Sequence, residues 1–181
     1  NNSEDRSPAD LVRAELYALK QSGHPYKIID CGNLSPGVDL DETRNRLREV
    51  VSYCMEQHAF PIIIGGSHDL DIGQYQAYEN LNKLVTLLAV DAYIDVHDHM
   101  PLPAQNHLQN IFLHDPNYLF HYSHLAYQDY LNSSHTLGLL ERLYFEAHRL
   151  GSMRADMKEM EPVIRNADLL SFDLQAIKNA D

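Results

Sequence analysis

The amino-acid sequence predicts an α/β domain with an open, mostly parallel sheet. Apolar runs of strand length alternate along the chain with amphipathic segments of helical periodicity. The run from Leu84 to Val90 is apolar at every position except Thr86, which is typical of a strand buried on both faces of a parallel sheet. Three apolar runs also end in Gly, His or Asp, at the strand ends where sheets of this kind bind ligands. We expect one domain spanning residues 1–181.

The first half of the chain is predicted to contain three helices and two strands. Apolar residues at helical spacing indicate helices over residues 9–20, 41–57 and 70–81. The second of these is the clearest, because its apolar positions share one face and its charges share the other. Short apolar runs indicate strands over residues 26–30 and 60–64.

The second half is predicted to be less regular. A buried strand over residues 84–90 is followed by a segment, 95–133, that is rich in His, Pro, Asn and Tyr and is interpreted as mostly loop with short elements. Helical periodicity resumes over 137–150 and partly over 157–166, where Pro162 must interrupt the helix or begin a new turn. A last strand is predicted over 169–172.

The composition limits the classes of partner. The chain has 26 acidic and 14 basic residues and a net charge of −12, so it should repel nucleic acids and anionic membranes. An acidic surface can attract metal ions or guanidinium-like substrates, although it can equally serve solubility alone. The two cysteines form no disulfide pattern, and no signal peptide or membrane-spanning run is visible, so a cytoplasmic protein with reduced thiols is expected.

Four side chains at predicted strand ends could form a metal site. His68 follows Gly65-Gly66 directly, Asp91 ends the buried strand with Asp95 four residues later, and Asp173 follows the last strand. One imidazole and three carboxylates form an oxygen-rich ligand set that suits Mn²⁺, or alternatively Mg²⁺ or Fe²⁺. Taken singly, each of these residues could instead be a helix cap or a hydrogen-bonded structural residue.

Three short motifs carry a family resemblance. In ureohydrolases the motifs Gly-Gly-Asp-His-Ser, Asp-Ala-His-x-Asp and Ser-x-Asp-x-Asp occur in this order. Imperfect versions occur here in the same order: Gly65-Gly66-Ser67-His68-Asp69, Asp91-Ala92-Tyr93-Ile94-Asp95 and Ser171-Phe172-Asp173-Leu174-Gln175. The chain therefore resembles the ureohydrolases (arginase, agmatinase and formimidoylglutamase), and residues 166–181 are most similar to the formimidoylglutamase branch.

The resemblance implies a three-layer α/β/α fold of the arginase/deacetylase type and a pair of Mn²⁺ ions that activate water for attack on an amidine carbon. It covers Tyr26 to the end of the chain, and the chain is expected to lack the C-terminal part of the family domain. By position, His68 and Asp95 match ligands of the first ion, and Asp91 and Asp173 match the carboxylates that bridge both ions. The second ion should also have a His and an Asp where this chain carries Tyr93 and Gln175. We therefore expect one bound ion and an impaired second site.

Histidines after the second motif are further candidates. His107 lies near the position of a proton-transfer histidine in arginases, and His97, beside His99, could supply a replacement metal ligand. The simpler interpretation of the six histidines between positions 97 and 124 is that they are solvent-exposed loop residues.

Three functions are compatible with these patterns. The first is hydrolysis of a C–N bond in a linear amidine, either formiminoglutamate or a guanidino compound, by a protein that the resemblance predicts to be a homo-oligomer. The second is a catalytically inactive relative with a binding or structural role. The third is a hydrolase of another C–N bond that uses one metal ion, as deacetylases of related fold do, but their ligands resemble the positions that are replaced here.

Overall fold

The computed structural model describes residues 7–20, 23, 25–96 and 106–177, and within them a four-stranded parallel sheet flanked by helices. The strand order is β3-β2-β1-β4. The strands are β1 (Val85–Val90), β2 (Leu119–Tyr127), β3 (Glu146–Arg149) and β4 (Leu169–Phe172). The helices are α1 (Pro8–Ala18), α2 (Leu40–Glu56), α3 (Asp71–Asn80), α4 (His107–Phe112), α5 (Ser134–Arg142), α6 (Leu150–Ala155) and α7 (Glu161–Arg165). The predicted α/β class is confirmed.

Both faces of the sheet are covered, which gives three layers. Because side chains alternate along a strand, Leu87 of β1 packs into a core with α3, α4 and α5, whereas Leu88 packs on the opposite face with α6 and α7. The first core includes Tyr75 and Ile111, and the second includes Met153. This arrangement agrees with the predicted α/β/α layering.

The clearest predicted helix, α2, forms as expected. The side chain of Asp39 caps its first turn by accepting a hydrogen bond from the backbone N of Glu42 at 2.8 Å. Its buried residues Leu47 and Val51 pack against α3. A Cβ atom at Gly73 of α3 would lie 2.8 Å from a backbone oxygen of α2, so glycine is required for this close approach.

Two predicted strands are wrong. Residues 26–30 and 60–64 form no ladder with any strand in the described ranges. Their apolar side chains remain outside the core, with Ile28 80% exposed and Ile62 78% exposed. Apolar composition reports a preference for burial, but a strand also needs a neighbouring strand, and none of the strands β1 to β4 pairs with these residues.

The interpretation of residues 95–133 as mostly loop with short elements underestimates the regular structure of this segment. This segment contains α4 and the nine-residue strand β2. Ser123 and His124 lie among the buried central residues of β2, so polar side chains interrupt the apolar run that would have revealed the strand. Residues 97–105 lie outside the described part of the chain.

The predicted helix over residues 137–150 is corrected as well. Helix α5 ends at Arg142, Tyr144 adopts a positive φ of 58°, and the chain then forms β3 before α6 begins. The apolar pattern runs through both elements, and the break at Tyr144 carries none of the usual Gly or Pro signals. Pro162 lies in the first turn of α7, as one of the two alternatives predicted.

Among the described residues, no helix combines the length and the apolar character required to traverse a lipid bilayer.

Candidate metal centre

Parallel pairing of β1 and β4 places Asp91 beside Asp173. Val90 is in register with Phe172, so the two aspartates are the next residues at the carboxyl ends of adjacent strands. The backbone N of Asp173 also donates to the carbonyl of Val90 at 3.0 Å, which extends the pairing to the site. Asp91 is only 4% exposed.

The two strand-end carboxylates are oriented in the same way. Oδ1 of Asp91 accepts a hydrogen bond from the backbone N of Tyr93 at 3.1 Å, and Oδ1 of Asp173 accepts one from the backbone N of Gln175 at 2.6 Å. In each residue Oδ2 then faces the ring of His68. The main chain at positions 93 and 175 therefore holds the carboxylates whatever side chains those positions carry.

A tight turn delivers His68 to these carboxylates. Gly65 and Gly66 have φ values of 98° and 91°, a region that side chains with a Cβ rarely adopt. The chain then enters a 3₁₀ turn over His68–Leu70 that leads directly into α3. The Gly-Gly pair is therefore needed to aim the imidazole at the strand ends.

We expect Gly66→Ala to destabilise the protein by more than about 1 kcal/mol, because alanine is strained at positive φ. The added Cβ would also lie 2.5 Å from Cδ1 of Leu70. Gly138→Ala in the middle of α5 is the control: nothing lies within 4 Å of its added Cβ, so this variant should be as stable as wild type or more stable. Urea unfolding of both variants measures the difference, and equal stability would contradict the role of the turn.

His68 is the centre of the cluster. Its Nδ1 lies 3.1 Å from Oδ2 of Asp95 and 3.7 Å from Oδ2 of Asp91, and its Nε2 lies 3.0 Å from Oδ2 of Asp173. The structure thus brings together the four residues that the sequence singled out as ligands. They do not lie on one side of the ring, since two carboxylates face Nδ1 and one faces Nε2.

The electrostatics of the cluster favour added positive charge. Burial lowers the pKa of His68, but the hydrogen bond to Asp95 and the charges of nearby carboxylates outweigh burial and raise it to about 9. Burial raises the pKa of Asp91 to about 6, and the neighbouring charges of Asp173 and Asp95 add to this increase. Three carboxylates around one imidazole form a site that stabilises a cation.

The donor set fits a divalent ion. Nε2 of His68 is buried and has no hydrogen-bond partner in the described structure, because its approach to Asp173 lacks hydrogen-bond geometry. Two overlapping groups have ligand atoms close enough to share an ion: His68 with Asp91 and Asp173, and His68 with Asp95 and His107. Nitrogen and carboxylate oxygen donors of this kind suit Mn²⁺, Fe²⁺ or Zn²⁺.

Comparison with known proteins identifies the family. The sequence model of the arginase family matches residues 4–180, which is nearly the whole chain. The chain belongs to the arginase family. This confirms the resemblance that the three motifs predicted.

Individual relatives of this arginase-family chain are distant. A formimidoylglutamase of Staphylococcus haemolyticus (strain JCSC1435) is 24% identical over 115 residues, which are 62% of this chain and 37% of that protein. The structure of formimidoylglutamase from Bacillus subtilis superposes with a TM-score of 0.64 at 16% identity, over 79% of this chain and 48% of that one. Trypanosoma cruzi formiminoglutamase with a pair of Mn²⁺ ions gives 0.66 at 17% identity, over 76% and 48%. The chain thus spans about half the length of these two solved relatives. Its match to the curated relative covers a smaller share, 37% of that protein.

Two positions of the arginase-family chain lack the side chains expected of second-metal ligands. Tyr93 is 37% exposed and lines the cleft above the cluster, and Gln175 is exposed in the turn after β4. Neither a phenol nor a neutral amide matches the imidazole and carboxylate that the resemblance predicts at these positions. His97, the predicted replacement ligand, lies outside the described residues.

His107 is buried in the centre of the arginase-family domain. It begins α4, is 3% exposed, and its Nδ1 lies 3.5 Å from Oδ2 of Asp95. Its Nε2 lies 3.6 Å from Oδ2 of Asp71, which also accepts a hydrogen bond from Ser171. Sequence reasoning missed Asp71, although its position three residues after His68, one helical turn away, was a usable signal.

His124 forms a hydrogen bond with the backbone of the site and carries no charge. Burial lowers the pKa of His124 to about 4. Its Nε2 donates to the carbonyl of Asp91 at 3.0 Å, and its Nδ1 accepts from the hydroxyl of Tyr122 at 2.6 Å, so the neutral ring is fully hydrogen-bonded. The expectation that histidines in this segment are exposed is wrong for His107 and His124, because both lie on elements that pack into the core.

Stability should therefore fall in acid through His124. An unfolded His has a pKa near 6.5, so between pH 6.5 and 4 the unfolded chain binds a proton that the folded chain refuses. The cost grows to about 3 kcal/mol at pH 4. The raised pKa of Asp91 acts in the opposite direction over part of this range, so the effect should be measured against His124→Gln, which lacks the titration. Urea unfolding at several pH values should show a steeper loss for wild type, and parallel curves would refute the assignment.

Proposed function

We propose that this chain is a metal-dependent hydrolase that cleaves a C–N bond in a linear amidine, with formiminoglutamate or a guanidino compound as substrate. The observation that carries the proposal is a cluster at the carboxyl edge of the sheet. Carboxylate oxygens of Asp91, Asp95 and Asp173 lie 3.0–3.7 Å from the ring nitrogens of His68. Membership of the arginase family supports the reaction class. The known Mn²⁺ pair of the Trypanosoma cruzi relative supports manganese as the ion.

In this proposal one ion would bind at the cluster of these four residues, held by one ring nitrogen of His68 and by the carboxylates that face it. When bound, the ion would lower the pKa of a coordinated water and so supply a nucleophile near neutral pH. Water adds to the amidine carbon, the C–N bond breaks, and the nitrogen leaves as an amine. Negative charge from the three aspartates attracts a cationic amidine to the cleft, and the exposed ring of Tyr93 forms part of its wall. The loss of the second-metal side chains at positions 93 and 175 makes this activity weaker than that of a site with two ions.

A specific observation favours a second candidate, an inactive relative with a binding or structural role. His68 with a pKa near 9 is itself positively charged at neutral pH, so an imidazolium can balance the carboxylates without any ion. In that case the cluster would serve to join the turn after Gly66 to the ends of β1 and β4.

An assay of the purified protein separates these candidates. Formiminoglutamate, agmatine and arginine are incubated with protein loaded with Mn²⁺, and release of the amine product is measured. The proposal predicts slow turnover that chelation abolishes and that Asp95→Asn removes. Bound Mn²⁺ with no turnover of any amidine would favour the inactive relative, and fast turnover equal to that of a site with two ions would contradict the impaired site.

A further inference from the structure

The ligand set around His68 is incomplete on one side of the ring. Asp91 and Asp95 face Nδ1, whereas Asp173 faces Nε2 on the opposite edge. A single ion cannot contact both nitrogens of one imidazole. An ion on the Nδ1 side would therefore lack Asp173, and the candidate ligand group on this side joins His68 and Asp95 to one further residue, His107.

His107 is placed to supply that donor. Its ring centroid lies 4.8 Å from that of His68, with the planes inclined at 63°, and its Nδ1 lies 3.5 Å from the same Oδ2 of Asp95 that His68 contacts. Two ligand atoms bound about 2.1 Å from one ion lie roughly 3.0–3.4 Å apart. The distances of 3.1 and 3.5 Å from Oδ2 of Asp95 to the two imidazoles are close to this range.

The other nitrogen of His107 faces a carboxylate. Nε2 lies 3.6 Å from Oδ2 of Asp71, and Asp71 is itself fixed by a hydrogen bond from Ser171 of β4. Histidines that bind metals commonly present their second nitrogen to a carboxylate, which sets the tautomer and orients the ring. His107 lies between Asp71, which faces its Nε2, and Asp95, which faces its Nδ1.

We propose that His107 is a ligand of the cation held by His68 and Asp95, and that Asp71 is the positioning residue that orients it. This rests on the proposed metal function and assigns His107 a ligand role in place of proton transfer, for which 3% exposure gives little contact with solvent. Two imidazoles with carboxylates form a set that accepts Zn²⁺ or Fe²⁺ more readily than an all-carboxylate set does. The site should therefore bind Zn²⁺ more tightly than Mn²⁺.

The alternative is a purely structural role for Asp71 and His107. Asp71 begins α3 and His107 begins α4, so the two side chains could simply join these helices. A second such pair does join α3 to the residues after α4: Nε2 of His114 lies 2.8 Å from Oε2 of Glu79. His114 belongs to neither candidate ligand group and so provides a matched control.

The experiment is calorimetric titration of Zn²⁺ and Mn²⁺ into wild type, His107→Asn, Asp71→Asn and His114→Asn. We expect at least about tenfold weaker Zn²⁺ binding for His107→Asn, a loss between roughly 10-fold and 100-fold for Asp71→Asn, and a smaller loss for Mn²⁺ than for Zn²⁺ in both. His114→Asn should bind both ions as wild type does, although its melting temperature without metal should fall.

The outcomes separate this inference from the metal function on which it rests. If wild type binds an ion and both His107→Asn and Asp71→Asn bind it within twofold of wild type, His107 is not a ligand and only this inference is overturned. If wild type binds neither ion, both proposals are overturned. If His107→Asn fails to fold, the titration of Asp71→Asn decides whether His107 is a ligand. Asparagine has nearly the same size as the aspartate that it replaces at position 71, so this variant is expected to fold.

Discussion

Asp91→Asn should abolish tight metal binding and, in the absence of metal, make the protein more stable. The carboxylate of Asp91 is 4% exposed and lies near two other carboxylates, and its pKa is raised to about 6 mainly by burial. At pH 7.5 the folded state therefore holds an unfavourable charge that asparagine removes. The gain in the free energy of unfolding should reach up to about 3 kcal/mol.

The same substitution removes a proposed ligand. Loss of Mn²⁺ affinity should exceed the roughly 10-fold to 100-fold typical of a change outside the ligand set. The amide oxygen can still accept the hydrogen bond from the backbone N of Tyr93, so the local turn is expected to persist. Calorimetry measures the affinity, and urea unfolding in the presence of a chelator measures the stability.

Asp69→Asn is the matched control for Asp91→Asn. Asp69 lies directly beside His68 in the chain, but its carboxylate accepts a hydrogen bond from Ser67 and belongs to neither candidate ligand group. It should leave metal affinity unchanged. If Asp91→Asn lowers stability without metal, or leaves Mn²⁺ affinity intact, then Asp91 is a structural residue and not a ligand.

The double substitution Tyr93→His with Gln175→Asp should raise the number of bound Mn²⁺ ions from one to two. The backbone amides of these residues already orient Asp91 and Asp173, so the change adds an imidazole and a carboxylate next to oxygens that are in place. Tyr93 lines the same cleft as His68 and Asp95. Elemental analysis after loading and desalting measures the number of ions directly.

A variant with the same added residues at distant positions controls for charge. Tyr144 and Gln57 are both exposed, and Tyr144→His with Gln57→Asp should leave one ion per chain. If the double change at positions 93 and 175 binds no additional ion, then the assignment of these positions to a second metal site is wrong.

The four residues at the centre of the site were predicted from their positions near strand ends together with the family resemblance of the three motifs. Asp91 and Asp173 follow apolar runs that form real strands, and His68 follows a Gly-Gly turn, so the local pattern placed these three side chains at the ligand-binding edge of the sheet. The alternation of strands and helices predicted the parallel α/β sheet, and the family resemblance implied its arginase-type layering. Helix α2 was predicted nearly to its ends because its apolar positions share one face and its charges share the other.

The residues that support the site were beyond a local pattern. His124 is buried because β2 lies between β1 and β3, and its polarity is satisfied by the carbonyl of Asp91, 33 positions earlier in the chain. The resemblance named His107 as a proton-transfer candidate, but its contact with Asp71 depends on the packing of α4 beside α3. The strands predicted over residues 26–30 and 60–64 were wrong for a different reason: the local pattern was present, but an apolar composition cannot specify a hydrogen-bonding partner.

The central claim is that the cluster around His68 binds a divalent cation, and the most direct measurement is the metal content of the wild-type protein. The protein is loaded with Mn²⁺ or Zn²⁺, desalted and analysed for bound metal per chain, with Asp91→Asn carried through the same steps. We predict one ion per wild-type chain and much less in the variant. A wild-type protein that retains no ion would mean that the imidazolium of His68 alone balances its carboxylates, and the metal centre would be contradicted.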